Sequence, residues 1–400
     1  MKFKPENKIN DDILHKLGLI RAIGNNSVQK IVVTWPDGTF RWVFSIRDGY
    51  PGYLAFQFSS SLKARFLRVL VVLRSYFPKG SLLGFKRFDL ALVSRGILNQ
   101  ALQALKADDW DIFGGSPGVT RNLVVALRRN TEVIGYLKVR LYANEDRLSD
   151  QRGDCFPNEF SAYDFISTLQ LSNTLVPSVN LLCEGIVMSP INGSQLCLLK
   201  DSVIISNTLK EVLDKTISNM CLGDYLDQKG IINRLASLRQ QQPKNSFFLR
   251  YELEEIICCL QRRINRLNYE SEIILSLSMI DFTVWNSFRV GDKVGFIDVE
   301  FCEQNISIAY DLTHFIWQAE VMLGSEKTAQ QMRSFAENVI VSNIIQVFSI
   351  PESTARIYFD LYLIQSTLRA LELYVKQDNL HKQGLLQIKL WLDLEYIWLS

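Results

Sequence analysis

The sequence predicts an α+β chain, on three observations. Short β-branched and aromatic runs separated by turn residues recur up to about residue 200. Beyond Asp201 the apolar residues recur at helical spacing through long segments. Within that second part, Asp281, Asn286, Asp298 and Asp311 cluster around two short apolar runs, a strand–loop–strand pattern in an otherwise helical stretch.

The first 105 residues read as a region of their own. Ile31–Trp35 and Thr39–Phe44 flank Pro36-Asp37-Gly38, a hairpin signal, and residues 53–76 carry the apolar spacing of a long amphipathic helix. From Trp110 the pattern changes. Residues 112–113, 123–127 and 133–141 read as strands, with Gly114-Gly115-Ser116-Pro117-Gly118 between the first two. Residues 158–169 read as a helix, then 181–188 and 195–199 as two strands around Asn192-Gly193. The remainder reads as helices at roughly 208–239, 247–268, 308–323, 326–348, 352–376 and 383–399, with Pro351 at a helix start.

Four hundred residues suffice for about two or three domains and a large core. Hydrophobic residues make up 48% and charged residues 22%, the balance of a soluble globular chain. A net charge of +2 gives no electrostatic case for nucleic acid or an anionic membrane surface. The seven cysteines contain no Cys-x-x-Cys pair, and His15, His314 and His381 are far apart in sequence. Zinc and a disulfide framework are therefore not expected, and free thiols point to a reducing, cytoplasmic setting. Residues 1–10 are charged and lack the apolar stretch of a signal peptide. Apolar runs such as 66–73 are interrupted by arginine and too short to span a bilayer.

Asp281 stands five positions before Asn286 in Asp281-Phe282-Thr283-Val284-Trp285-Asn286. Asp298 follows twelve positions later, in Phe296-Ile297-Asp298-Val299-Glu300. The runs 273–275 and 294–297 read as short strands flanking this loop. Phosphoryl transfer from ATP uses such a set: one carboxylate orients the attacking hydroxyl, while an amide oxygen and a second carboxylate hold Mg2+ against the triphosphate. Gly114, Gly115 and Gly118, with Ser116, could let backbone N–H groups approach phosphates closely; the plainer reading is a Gly-Pro turn. No lysine follows in the Walker pattern, which excludes that P-loop. Lys138 sits inside an apolar strand and needs a partner if it faces inward. Glu159 otherwise reads as a first-turn helix carboxylate.

In order and spacing, Asp281, Asn286, Asp298, Glu300 and Asp311 resemble the catalytic and metal-binding loops of the aminoglycoside phosphotransferase and choline kinase-like family, over about residues 110–320. The resemblance implies a protein kinase-like bilobal fold. Residues 106–200 would be a small, mainly antiparallel β lobe and residues 201–400 a larger helical lobe; residues 1–105, which the resemblance does not explain, read as an extra N-terminal α/β region. It implies Asp281 as the catalytic carboxylate and Asn286 and Asp298 as ligands of Mg2+. It implies Lys138 on the α/β-phosphates of ATP, with Glu159 pinning that lysine and Gly114, Gly115, Ser116 and Gly118 over the phosphates. Asp311 resembles the aspartate that braces the catalytic loop, and Glu300 matches an acidic position of undefined role. Trp285 is read as core packing, and His314 as packed or capping. The family carries His-Gly immediately before the catalytic aspartate, where this chain has Met279-Ile280.

The implied function is ATP- and Mg2+-dependent phosphoryl transfer to a hydroxyl of a small molecule. An Asp-Phe-Thr-x-Trp-Asn loop with a similar glycine turn is familiar among bacterial phosphotransferase-like proteins associated with surface-polysaccharide genes, which implies a carbohydrate or surface-polysaccharide precursor as acceptor. Two alternatives stand beside it. One is a pseudokinase serving as a nucleotide-binding or protein-interaction module. The other is a protein kinase, against which the missing His-Arg-Asp, Asp-Phe-Gly and Ala-Pro-Glu set counts.

Overall fold

A computed structural model describes residues 5–22, 27–34, 40–45, 66, 69, 86–114, 122–130, 132–140, 158–182, 185–244, 250–324, 326–377, 380 and 382–398. The chain is α+β, as expected, and divides into two compact units: residues 1–145 with 177–190, and residues 146–176 with 191–400.

The first unit is built on one antiparallel sheet. Its strands are β1 (Leu19–Arg21), β2 (Val28–Thr34), β3 (Phe40–Ser45), β4 (Lys86–Leu92), β5 (Asp109–Phe113), β6 (Asn122–Arg129) and β7 (Glu132–Arg140). Past β8 (Thr174–Leu175), which belongs to the second unit, come β9 (Val179–Leu182) and β10 (Gly185–Met188). The order is β1-β4-β2-β3-β5-β6-β7-β10-β9. The expected hairpin is the β2–β3 pair, with Val33 opposite Trp42; its Pro-Asp-Gly turn lies outside the described residues. So does the helix expected at 53–76, apart from residues 66 and 69.

Two helices cover one face of this sheet. Ile13, Leu14 and Leu17 of α1 (Pro5–Leu17) and Leu98 and Ala101 of α2 (Ile97–Leu105) share a core with Val32, Val43, Ile112, Val125, Leu137 and Val139. The boundary expected at residue 105 therefore runs through a shared sheet and core, because β3 pairs directly with β5. Lys30 is buried between β2, β3 and β5, where Nζ donates to Ser45 Oγ (2.6 Å), Asp109 Oδ1 (2.5 Å) and the Trp110 carbonyl (2.5 Å). Burial pushes this ammonium below its ordinary range, against the pull of Asp111 and Asp109.

The second unit is mostly helical. It holds α3 (Glu159–Thr168), β8, β11 (Ser194–Gln195), α4 (Leu198–Thr216), β12 (Ser218–Cys221), α5 (Leu222–Gln228), α6 (Ile231–Gln240) and α7 (Arg250–Ile264). Then come β13 (Glu272–Ser278), β14 (Ser287–Val290), β15 (Lys293–Phe296), β16 (Glu303–Ser307) and α8 (Tyr310–Leu323). The chain closes with α9 (Ala329–Phe335), a π-helical stretch (Ala336–Val341), α10 (Ser342–Phe348), α11 (Glu352–Tyr374) and α12 (Lys382–Leu392). Two small sheets lie among these helices, ordered β11-β14-β15-β8 and β12-β13-β16.

Two sequence readings are corrected here. The strand expected at 195–199 is only two residues long, because the Asp201 carboxylate accepts the Cys197 N–H (2.8 Å) and starts a helix at Leu198. The single helix expected at 208–239 is broken into three, because Ser218–Cys221 leaves the helix to pair with Glu272–Leu275 of β13. A buried ion cluster ties this part together: Glu303 on β16 accepts from Lys229 Nζ (2.9 Å) and from Arg369 of α11 (2.6 Å). Burial alone would raise the Glu303 carboxyl, but Arg369 and Lys229 outweigh it and hold it at about 2.

Candidate active site

The site begins where β13 ends. Asp311, in the first turn of α8, lies beneath the chain that follows the strand. Its Oδ1 accepts from Ser278 Oγ (2.6 Å) and Ile280 N (3.0 Å), and its Oδ2 accepts from Met279 N (2.8 Å). Asp311 is only 5% exposed. Burial pushes its carboxyl above the ordinary value, against these hydrogen bonds, which favour the charged form.

The loop then makes a tight turn. Asp281 N donates to the Met279 carbonyl (2.7 Å), around Ile280 at φ +64°. A β-branched residue in that region is strained, and such strain persists only where its surroundings over-determine it. Here Asp311 takes the N–H of both Met279 and Ile280. Both side chains are buried, so the loop is held through its backbone where the resembling family has His-Gly.

Phe282 is buried against Phe296 (ring centroids 5.1 Å apart, edge-on) and Phe315 (5.0 Å), which anchors the middle of the loop. Trp285 does not pack in the core as the sequence reading had it; it is 38% exposed. Phe282 and Val284 take the inward positions. The turn closed by Asn286 N on the Thr283 carbonyl (3.2 Å) leaves Trp285 outside.

Asn286 reaches back across the loop. Its Nδ2 donates to Asp281 Oδ2 (2.8 Å) and to the Asp281 carbonyl (3.3 Å). Its own carbonyl accepts Ile297 N (3.0 Å), which sets the exit of β15, and hence Asp298, beside the loop. Asp298 has φ +63°, and its N–H donates to the hydroxyl of Tyr163 (2.9 Å), a buried residue of α3. That helix opens at Glu159, with Asn158 as N-cap accepting the Ser161 N–H (2.8 Å).

Carboxylate oxygens of Glu159, Asp298 and Glu300 all lie within 4.8 Å of one another. Like charges this close repel, and hard oxygen donors in such a group suit a divalent cation such as Mg2+. The Asn286 amide nitrogen is engaged by Asp281, which makes its oxygen the atom suited to ligation. The three carboxylates fit a divalent cation.

The structure thus brings together Asp281 with Asn286, and Asp298 with Glu159 and Glu300, all within the second unit. Gly114 and Lys138 belong to the first. Gly114 follows β5, with its N–H donating to the Arg41 carbonyl (3.0 Å); Gly115, Ser116 and Gly118 lie outside the described residues. Lys138 lies on β7 between Val124 and Ile186 of the neighbouring strands and is 6% exposed, so it is not a solvent-face lysine.

The sequence reading missed the place of His314. Its Nε2 lies 3.6 Å from Asp281 Oδ1 and its Nδ1 3.2 Å from the Tyr362 hydroxyl, with the ring stacked on Tyr310 (5.9 Å). The available signal was its position three residues after Asp311, which puts both on one face of a helix.

No sequence-family profile and no curated protein matches the chain. Among solved structures it is similar to an ADP-bound aminoglycoside phosphotransferase, APH(2'')-Ib, at 13% identity and TM-score 0.41, over 74% of this chain and 97% of that one. It is similar to an ethanolamine kinase of Plasmodium vivax at 13% identity and TM-score 0.44, over 84% and 89% of the two chains. It is similar to the choline kinase LicA of Streptococcus pneumoniae at 13% identity and TM-score 0.44, over 72% and 93%. Likeness at this level carries no argument about chemistry, which has to come from the geometry of Asp281, Asn286 and Asp298. No helix among the described residues is long and apolar enough to cross a membrane.

Proposed function

We propose that the chain is a phosphotransferase that moves the γ-phosphoryl group of ATP to a hydroxyl of a small molecule. The observation that supports this reading is the braced loop. Asp311 holds the backbone at Met279 and Ile280, and Asn286 hydrogen-bonds the Asp281 carboxylate at 2.8 Å. A strained turn held by a buried carboxylate is an expensive way to present one aspartate unless that aspartate acts.

Asp281 in this reading accepts the hydrogen bond of the acceptor hydroxyl, aligns its oxygen, and takes its proton as transfer proceeds. Asn286 Oδ1 and Asp298 hold Mg2+, with Glu300 and Glu159 as neighbouring carboxylates. When bound, the cation neutralises charge on the phosphate oxygens. By the sequence resemblance alone, Lys138 binds the α/β-phosphates and the segment Gly114, Gly115, Ser116 and Gly118 covers them. The acceptor is a carbohydrate or a similar hydroxylated metabolite, and the setting is the bacterial cytoplasm.

Thermal melting with and without Mg-ATP tests nucleotide binding. ATP consumption is then screened over sugars, aminoglycosides, choline-like alcohols and polysaccharide precursors. The expected result is a higher melting temperature with Mg-ATP and turnover with one acceptor class. Binding without transfer to any acceptor or to water favours the pseudokinase alternative, and absence of binding refutes both.

A further inference from the structure

We propose that His314 is a positioning residue for Asp281, with its Nδ1 seated on the Tyr362 hydroxyl and its Nε2–H turned to Asp281 Oδ1. The inference rests on the proposed role of Asp281. In the same core the Tyr374 hydroxyl donates to Gln387 Oε1 (3.0 Å). Gln387 Nε2 then donates to Gln318 Oε1 (3.2 Å). Ser366 and Gln318 are the other polar neighbours of the Tyr362 hydroxyl. The Tyr362 hydroxyl lies 3.2 Å from His314 Nδ1 and donates to it in this reading. An imidazole that accepts at Nδ1 carries its proton on Nε2, and Nε2 is the nitrogen 3.6 Å from Asp281 Oδ1.

Burial keeps the Tyr362 phenol well above its ordinary value, so the hydroxyl remains a donor. Gln318, Tyr362 and Gln387 are all buried in the helical core. Apolar side chains of similar size would pack there without the cost of desolvating two amides and a phenol. Tyr362 among them holds the His314 ring. Asn286 holds Asp281 Oδ2, and His314 faces Oδ1. Donors on both oxygens fix the plane of the carboxylate and therefore the direction in which it meets a hydroxyl. The 3.6 Å separation exceeds a formed hydrogen bond, and such contacts tighten when substrate is bound.

The chain has only three histidines, so long-range 1H–15N spectra of histidine-labelled protein resolve His314 without crowding. Spectra are recorded with and without Mg-AMP-PNP. The expected result is a proton on Nε2 and none on Nδ1, a shifted Nε2 signal in Asp281→Asn, and a changed tautomer balance in Tyr362→Phe. A protonated Nδ1, or an Nε2 signal indifferent to Asp281→Asn, overturns the inference whatever the enzyme's activity. The kinetic arm uses hydrolysis of Mg-ATP by water. His314→Leu is expected to lower kcat about 10- to 100-fold with KM for ATP unchanged. His314→Gln, whose amide N–H reaches the same oxygen, should recover most of that loss. Wild-type kcat in His314→Leu overturns the positioning role and leaves the proposed function standing. A wild-type protein that neither binds nor hydrolyses ATP refutes the proposed function, and the spectra then still decide whether His314 is coupled to Asp281.

Discussion

Asp311→Asn is the most direct perturbation of the loop that presents Asp281. The asparagine is nearly the same size, and its oxygen can keep the two hydrogen bonds now made to Oδ1 by Ser278 and Ile280. Its NH2 group then faces Met279 N, a buried donor that Oδ2 now satisfies at 2.8 Å. Two donors pointing at each other leave an N–H unpaired, which costs about 1–3 kcal/mol. Part of this is offset, because burial already penalises the Asp311 charge and the neutral amide avoids that penalty. A net local loss of about 1–2 kcal/mol follows. Asp311→Ala removes all three acceptor interactions and should cost more. The turn at Ile280 relies on the same hydrogen bonds, so the loop should open first. Amide hydrogen exchange over residues 278–282 is the assay. Met279 and Ile280 should exchange faster by about 5- to 30-fold in the asparagine variant and by more in alanine. If Asp281 does the chemistry, ATP turnover should fall by about 100-fold, since a displacement near 1 Å is enough for that. Unchanged exchange in both variants would show that Asp311 does not brace the loop.

Asp281→Asn should cut turnover by about 100-fold or more while sparing ATP binding, because the hydroxyl contact strengthens in the transition state; calorimetry and steady-state kinetics separate the two, and equal loss of both contradicts the assignment. Asp298→Ala should abolish Mg2+-dependent ATP binding with the fold intact by circular dichroism, and wild-type affinity for Mg-ATP would sink its role as a ligand. Phe282→Ala should destabilise the second unit by about 3–5 kcal/mol, read by urea denaturation; a change below about 1 kcal/mol would contradict its anchoring role between Phe296 and Phe315. For Glu303, a carboxyl brought from its ordinary 4.5 down to about 2 corresponds to about 3 kcal/mol. A depressed carboxyl stabilises above its unfolded value and loses that contribution as pH falls toward its folded value, here between about 4.5 and 2. The stability gap between wild type and Glu303→Gln should therefore be wide at pH 7 and shrink by more than half at pH 3, and an equal gap at both would refute the ion-cluster account.

The α+β class, the hairpin strands, and the loop from Asp281 to Asn286 between two strands are legible in the residues alone. These are local: β-branched alternation, turn residues and fixed spacings act over a few residues. The sequence also marked Asp311 as a brace, because family spacing carries that role along the chain. The rest depends on packing between distant parts of the chain. Trp285 was assigned to the core because it is apolar, yet Phe282 and Val284 occupy the space that the loop offers, and the turn at Asn286 turns Trp285 outward. Residues 218–221 look helical until β13 offers them a partner. His314 lies far from Asp281 in sequence, and only the packing of α8 against the end of β13 brings its ring to the carboxylate. The Tyr362 hydroxyl at its Nδ1, and the bonded Gln318, Gln387 and Tyr374 of the same core, lie on helices whose faces no local pattern pairs. The surroundings of Asp281 therefore come from both sources: Asn286 of the local motif on one carboxylate oxygen, and His314, brought by packing, facing the other.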